Sequence, residues 1–504
     1  MKKLLVYVYI LSAFACANAE ILMPRVFSDY MVLQREMPVK IWGKAEMNAS
    51  VKVEFAGQAK EAKADAKGNW ALYLDKMPAN ANNQAMKVYE NGKLSKEFKD
   101  ILVGEVWIAG GQSNMQWVLA SSKFIEKGDK RLENPLLRMF TMQIDATSPE
   151  PQFDFPSDAR WVLSTQDTTN TFSCVGFLFA ENLINELNVP VALIHTPVGG
   201  SRMIAWLAKE DFVGNSNLEK TIKEFEENLS AYDYDAEIKA YNTQIEALEK
   251  ENTAEAKRKI KSLENLKKPR KGSIGFYRHE PYLLYNAKIA PLVGFANRGV
   301  IWYQGEADAK TMENIKDFSG VFENLIKAWR KYWNYDMPFY AVQLPSYSAP
   351  NMDWAETRWQ QYLTSTKLDK VAMAITIDTG EEKNIHPKDK LAVGKRLANL
   401  ALKETYGIDK ACYGAKLEKI DYKGNVAELI FDKTLELKGE LRGFEVLVDG
   451  NWAKPASMKL EGAKVELSAS KEISGVRYLW KNWALPDVCL YNSDLPLNSF
   501  KNLK

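Results

Sequence analysis

Hydrophobic and polar positions alternate in short runs near the start of the chain and give way to solid apolar runs further on. Between residues 20 and 100, VKIWG, VKVEFAG, WALYLD and MKVYENGK step between apolar and polar side chains and are separated by glycine and asparagine turns. A period of two belongs to strands with one buried face, so this stretch predicts a β-sandwich-like domain over 20–100. From residue 101 the texture changes to ILVGEVWIAG, LLRMFTM, VPVALIHTPV, RGVIWYQG, PFYAVQLP and VAMAITID, with helical stretches between them. Strands that are apolar on both faces need cover on both, which predicts an α/β domain over 101–407 with a parallel sheet and crossover helices.

Between the third and fourth of these runs, apolar residues fall at 222, 225, 229 and 232 and again at 238, 241, 245 and 248. That is the spacing of amphipathic helices, and it predicts a helical hairpin inserted at 216–268. Its basic end, KRKIKSLENLKKPRK, is interspersed with glutamate and reads as a solvated helix end before an anion-binding patch. After residue 407 short strands return in AKLEKIDY, VAELIFD, GFEVLVDG, KVELSA and GVRYLW, predicting a C-terminal β domain over 408–504.

Three domains suit a chain of 504 residues. A net charge of +2 gives no grip on nucleic acid, and that class of partner is set aside. At the N-terminus, Lys2 and Lys3 precede a short apolar run and Ala17-Asn18-Ala19, the pattern of a signal peptide over 1–19 and of an exported protein, periplasmic or secreted. Cys16 offers a rival reading as a lipidated residue, to which Phe14 is a poor fit. No later segment reads as a transmembrane helix. Cleavage before Glu20 would leave Cys174, Cys412 and Cys489, an odd set without metal-ligand spacing, and the reading calls for no metal and no cofactor.

The chemistry starts at residues 110–117, GGQSNMQW, directly after an apolar strand. A serine hydroxyl such as that of Ser113 attacks an acyl carbon only with a base beside it and donors for the oxyanion that forms. The chain has three histidines. His195 lies inside VALIHTPV and reads as a structural core residue, whereas nothing fixes the role of His279. His386 follows the last sheet strand through TGEEKNIHPKDK, on the edge where open α/β sheets build their sites, and is the expected base. Expected oxyanion donors are the backbone amides of Ser113 and of the Gly199-Gly200 turn, with the side-chain amide of Gln304. Glu306 and Asp308 would pin the Gln304 loop or support the base.

With these residues in view, the chain resembles the sialate O-acetylesterase family, a branch of the SGNH-type serine hydrolases. The resemblance rests on MVLQREMPVKIWG, ILVGEVWIAGGQSNMQW, TPVGGSRMIAWL, WYQGEADA, NIHPKDK and VRYLWKNWALPDVCLYNSDLPLNSF in that order. It implies a three-layer α/β/α catalytic domain with β-rich accessory domains, Ser113 as nucleophile, His386 as base, and Gly199, Gly200 and Gln304 around the oxyanion. The carboxylate that many such enzymes carry three residues before the histidine is replaced by Lys383. Asp378, Glu381 or Glu382 could reach back to His386, a backbone carbonyl could orient it, or serine and histidine could act as a dyad. The implied substrate is an O-acetylated sialic acid, for whose carboxylate Arg202, Arg278 and Arg358 are candidates. Trp117, Trp206, Tyr303 and Trp354 are candidate stacking faces for an acetylated sugar. Two other readings stay open: an acetyl esterase of hemicellulose-type polysaccharide, and an inactive hydrolase-like carbohydrate-binding protein.

Overall fold

A computed structural model describes residues 21–122, 125, 126 and 128–504 of the chain; the leader read over 1–19, with Cys16, lies outside them. The first strands are β1 (Val32–Gln34), β2 (Val39–Lys44), β3 (Ser50–Phe55), β4 (Gln58–Lys63), β5 (Asn69–Leu74) and β6 (Asn80–Glu90). In β3 and β5 buried and solvated residues alternate, as the sequence pattern predicts. β3 pairs antiparallel with β4 and β6, and β2 with β5.

A single strand, β7 (Lys93–Gly111), links this region to the central sheet. Its first part pairs with β6, its middle with β1, and its last residues with the two centre strands of the main sheet. The boundary drawn at residue 100 therefore falls inside one continuous strand. The change of texture there is real, because burial becomes unbroken from Ile101 onward, but it marks a strand passing from a half-solvated sheet into a covered one.

The central sheet adds β8 (Leu137–Thr141), β9 (Arg160–Leu163), β10 (Val191–His195), β11 (Gly299–Tyr303), β12 (Phe339–Val342) and β13 (Val371–Ala374), in the order β13-β12-β11-β7-β10-β8-β9. All six apolar runs noted after residue 100 are strands, and neighbours pair in parallel. The exception is β9, an antiparallel edge strand that makes the sheet mixed and was too short to stand out in the sequence. The α-helices are α1 (Ser113–Gln116), α2 (Cys174–Leu187), α3 (Ser216–Ser230), α4 (Tyr234–Glu251), α5 (Ala254–Leu266), α6 (Met312–Trp333), α7 (Trp354–Ser365) and α8 (Leu391–Glu404).

Alternate residues of each strand feed two separate cores. Val106, Ile108, Val300 and Trp302 pack with Phe322, Leu325 and Trp329 of α6, while Trp107, Ala109, Ile301 and Tyr303 pack with Phe179 and Leu183 of α2 and Leu397 and Ala401 of α8. Full burial of one such large side chain stabilises the fold by roughly 1.5–3 kcal/mol, so covering both faces holds the middle strands firmly. From β7 the chain runs out to β8 and the edge strand β9 and back to β10 beside β7, then crosses to build β11, β12 and β13 on the other side. That reversal leaves a crevice at the carboxyl ends of β7, β10 and β11, where open sheets bind ligands.

The insertion differs from the hairpin read over 216–268. α3 packs on the body of the protein, with Phe225 edge-on to Tyr282 at 5.6 Å, and α4 pairs instead with a third helix, α5. The two apolar series are thus two helices with different partners: Phe225 is buried against the core, whereas Tyr241 and Leu248 of α4 are buried in the α4–α5 layer that also encloses Ala256. After α8 the chain is strand-rich, around a core that includes Val446, Val465, Leu467, Val476 and Phe500. Among the described residues no helix is long and apolar enough to cross a membrane.

Candidate active site

At the end of β7 the strand must turn sharply. Gly111 has φ +120°, and a Cβ there would collide with the Tyr303 carbonyl oxygen of the adjacent strand, so only glycine fits. The turn delivers Ser113 as the first residue of α1, half-buried, on the wall of a cavity of about 610 Å³. Ser113 Oγ lies 2.8 Å from His386 Nε2 although 273 residues separate them. Trp117 stacks on the imidazole at 5.3 Å between ring centroids and 20° between planes, which fixes the tilt of the ring. Burial, and then the charge of Lys390, push the His386 pKa below its ordinary value, leaving the ring neutral and able to accept a proton near neutral pH.

Below these two side chains lies a buried polar network that the sequence reading did not assemble. Asn114 Nδ2 donates to Glu306 Oε1 at 2.5 Å and to the Ile385 carbonyl at 3.0 Å, while Asn114 Oδ1 accepts from Lys390 Nζ at 2.5 Å. One amide thereby joins the turn carrying Ser113, the loop after β11 and the loop carrying His386. Burial raises the Glu306 carboxyl to about 7 and lowers the Lys390 ammonium to about 8. Asn114, the direct neighbour of Ser113, could have been suspected from GQSN, but nothing in NIHPKDK distinguishes Lys390 from its exposed neighbours.

Over most of its length the chain resembles known esterases. A family model, Carbohydrate esterase, sialic acid-specific acetylesterase, matches residues 275–403. Sialate O-acetylesterase of Mus musculus is 25% identical, covering 90% of this chain and 88% of the mouse protein. The human protein of the same name is 24% identical over 90% of this chain and 86% of its own length. The crystal structure of a carbohydrate acetylesterase from Xanthomonas citri superposes with a TM-score of 0.78 at 28% identity, covering 96% of this chain and 99% of the other. The chain is similar to the sialate O-acetylesterases over most of its length.

Several expected site residues lie elsewhere than the resemblance implied. Gln304 is buried, and its Nε2 donates to the Ser201 carbonyl at 3.1 Å and to Asp308, so it braces its loop and has no donor left for the cavity. The Gly199 N–H is taken by Gln116 Oε1 at 2.8 Å. A Cβ on Gly199 would stand 3.3 Å from Ser113 Cβ, so the glycine turn does abut Ser113. Among the described residues, the backbone amides of Ser113 and Gly200 have no hydrogen-bond partner.

Three of the acids are likewise committed. Both Asp378 oxygens are held by Arg396, at 2.5 and 2.7 Å, which removes it as a support for His386. Asp308 accepts from Arg202, the Met203 amide and Gln304. Glu381 accepts from the Lys388 amide and from Asn384, and Glu382 is exposed. Asn384 accepts from the His386 amide at 3.0 Å and donates to its carbonyl at 2.8 Å, bracing the backbone of the loop.

Of the residues read as substrate contacts, Trp117 and Arg278 line the cavity. Arg202 is engaged with Asp308 and Asn314, and Trp206 is fully buried against Trp302. Arg358 is fully buried and donates to the Lys481 and Asn482 carbonyls, clipping α7 to a loop of the C-terminal region. Tyr303 and Trp354 are also core residues. His195 is held neutral by burial, its pKa down to about 3, as a core histidine would be. His279 is lowered to about 4, first by burial and then by nearby cations.

Proposed function

We propose that this chain is an exported serine esterase that hydrolyses O-acetyl esters of sialic acids through an acetyl-enzyme. The scaffold in this reading is a three-layer SGNH-type domain over 101–407, flanked by β units at 20–100 and 408–504, with residues 1–19 as the export leader. The observation that carries it is the 2.8 Å contact of Ser113 Oγ with His386 Nε2 on the wall of the cavity. Kinship to proteins named sialate O-acetylesterase supports the substrate class.

His386 Nε2 takes the proton of Ser113 Oγ as the oxygen bonds to the acetyl carbon, and the carbonyl electrons move onto the oxyanion. The amides of Ser113 and Gly200 donate to that oxygen. Collapse expels the sugar oxygen, which takes the proton back from His386, leaving Ser113 acetylated. Water then repeats the sequence, releasing acetate and restoring the hydroxyl. Serine and histidine act here as a dyad, its ring oriented by Trp117 and its loop by Asn384.

Ser113→Ala should reduce acetate release on the order of 10⁴-fold or more while the urea unfolding midpoint stays within experimental scatter of the parent. Turnover retained in that variant would sink the nucleophile assignment. Acetylated sialic acid should outcompete acetylated xylan as substrate; the reverse preference would transfer the same chemistry to hemicellulose.

A further inference from the structure

Two cations stand in the wall of the Ser113 cavity without a carboxylate to neutralise them. Arg278 and Lys310 both line it, and among the described residues neither has an acid within ion-pair distance. The third cation nearby is spoken for, because Arg202 pairs with Asp308 and donates to Asn314. Arg278 and Lys310 both lie close enough to His279 for their charge to add to burial in lowering its pKa, which places the two on one side of the cavity. Among the described residues the only acid in the lining is Glu306, and its Oε1 is held by Asn114. This side of the site is therefore positive.

The two cations also differ in mobility. Arg278 Nε donates to the Tyr277 hydroxyl at 2.8 Å and Nη1 to the Gly199 carbonyl at 2.9 Å, which pins the guanidinium and leaves Nη2 without a protein partner among the described residues. Lys310 is exposed and holds a point charge on a flexible stem. A fixed donor beside a mobile one suits a planar anion that arrives with the substrate. The pinning residue, Gly199, is the one that abuts Ser113, so an anion held by Arg278 is gripped by the same turn that flanks the nucleophile.

We infer that Lys310 and Arg278 form a carboxylate subsite that selects acidic over neutral acetylated sugars while the acetyl ester meets Ser113. The inference rests on the sialate reading and names the part of the cavity that makes it selective. Lys310 stood outside the residues singled out in the sequence because WYQGEADAK shows only another surface lysine.

The test compares an O-acetylated sialic acid with its carboxyl methyl ester, which removes the charge and keeps the acetyl group. The parent should favour the free acid in kcat/KM. Lys310→Gln should lower that acid-over-ester ratio on the order of tenfold, through KM more than kcat, and Arg278→Gln should lower it further. Lys310→Gln lies on the surface, so its folding is not at risk. Equal parent activity on acid and ester, or a ratio unmoved by either substitution, overturns the subsite while leaving the sialate reading intact. A parent inert to both forms but active on acetylated xylan overturns the sialate reading and the subsite with it.

Discussion

The amino and carboxyl ends of the central sheet's strands hold buried carboxylates in opposite ways. At the foot of the central sheet, Glu105 is wholly buried and fully partnered: Arg298 donates from Nε at 2.8 Å and from Nη2 at 3.1 Å, Gln34 at 3.0 Å, and Arg35 closes the set. Burial alone would raise its pKa, but the bonds from Arg298, then Arg35 and Gln34, outweigh it and hold the carboxyl below its usual range. At the carboxyl end, Glu306 has one bond, to Asn114, and an oxygen without a partner among the described residues. Its pKa goes up to about 7. The saturated cluster ties the first strands of the chain to the sheet, whereas the under-satisfied one sits beneath Ser113. A strongly shifted group in a cavity wall is a better pointer to chemistry than a buried charge as such.

The same substitution at both ends tests this contrast. Glu105→Gln removes the buried negative charge shared by Arg35 and Arg298, leaving them only the exposed Glu36 at 3.6 and 3.7 Å, and should cost about 3–5 kcal/mol in urea unfolding, with turnover per folded molecule retained. Glu306→Gln should do the reverse. Because the folded pKa of Glu306 is raised, the stability it contributes is full below its unfolded value and is lost as pH rises through about 7. The glutamine does not titrate, so the variant should overtake the parent in stability above that pH. Equal losses at all pH values for both substitutions would erase the distinction.

A smaller and kinetic effect is expected where the upper network touches Ser113. Asn114→Ala cuts the link from the turn carrying Ser113 to Glu306, to the Ile385 carbonyl and to Lys390 at once. We expect kcat to fall on the order of 10²-fold, the cost of a small misplacement of reacting groups, with KM changed much less. A fall in KM-limited binding alone would show that Asn114 serves the substrate and not the alignment of Ser113 with His386.

How much of this was legible in the sequence follows from the range of each interaction. The six apolar runs became strands because unbroken apolarity reports burial on both faces, a local property. Ser113 and His386 were legible because each sits in a polar loop at the end of such a strand, and strand ends on one edge of a parallel sheet share a crevice. Gln304 also lies at a strand end, yet its side chain turns inward to Ser201 and Asp308, and loop position carries no information about side-chain direction. Lys390 is buried with its ammonium donating to Asn114, 276 residues away, a partner that no local pattern reveals. Glu105 did leave a mark: a lone charge in ILVGEVWIA must find partners if the strand is covered, although not which ones.

The subtlest prediction separates charge from positioning within the upper network. The Lys390 ammonium, although lowered to about 8, is still charged on the acid side of neutrality, where it opposes protonation of His386. In the proposed mechanism His386 is the base and works only when neutral, so kcat/KM should fall as pH drops through the His386 pKa. Lys390→Met removes the opposing charge; the His386 pKa should rise, and the acid limb of the kcat/KM profile should move to higher pH by less than about one unit. Asn114→Ala loosens the same network but keeps the lysine charge, so its profile should drop without that displacement. If both variants shift the limb equally, the lysine acts on His386 through geometry; if neither does, burial alone sets the pKa of the base.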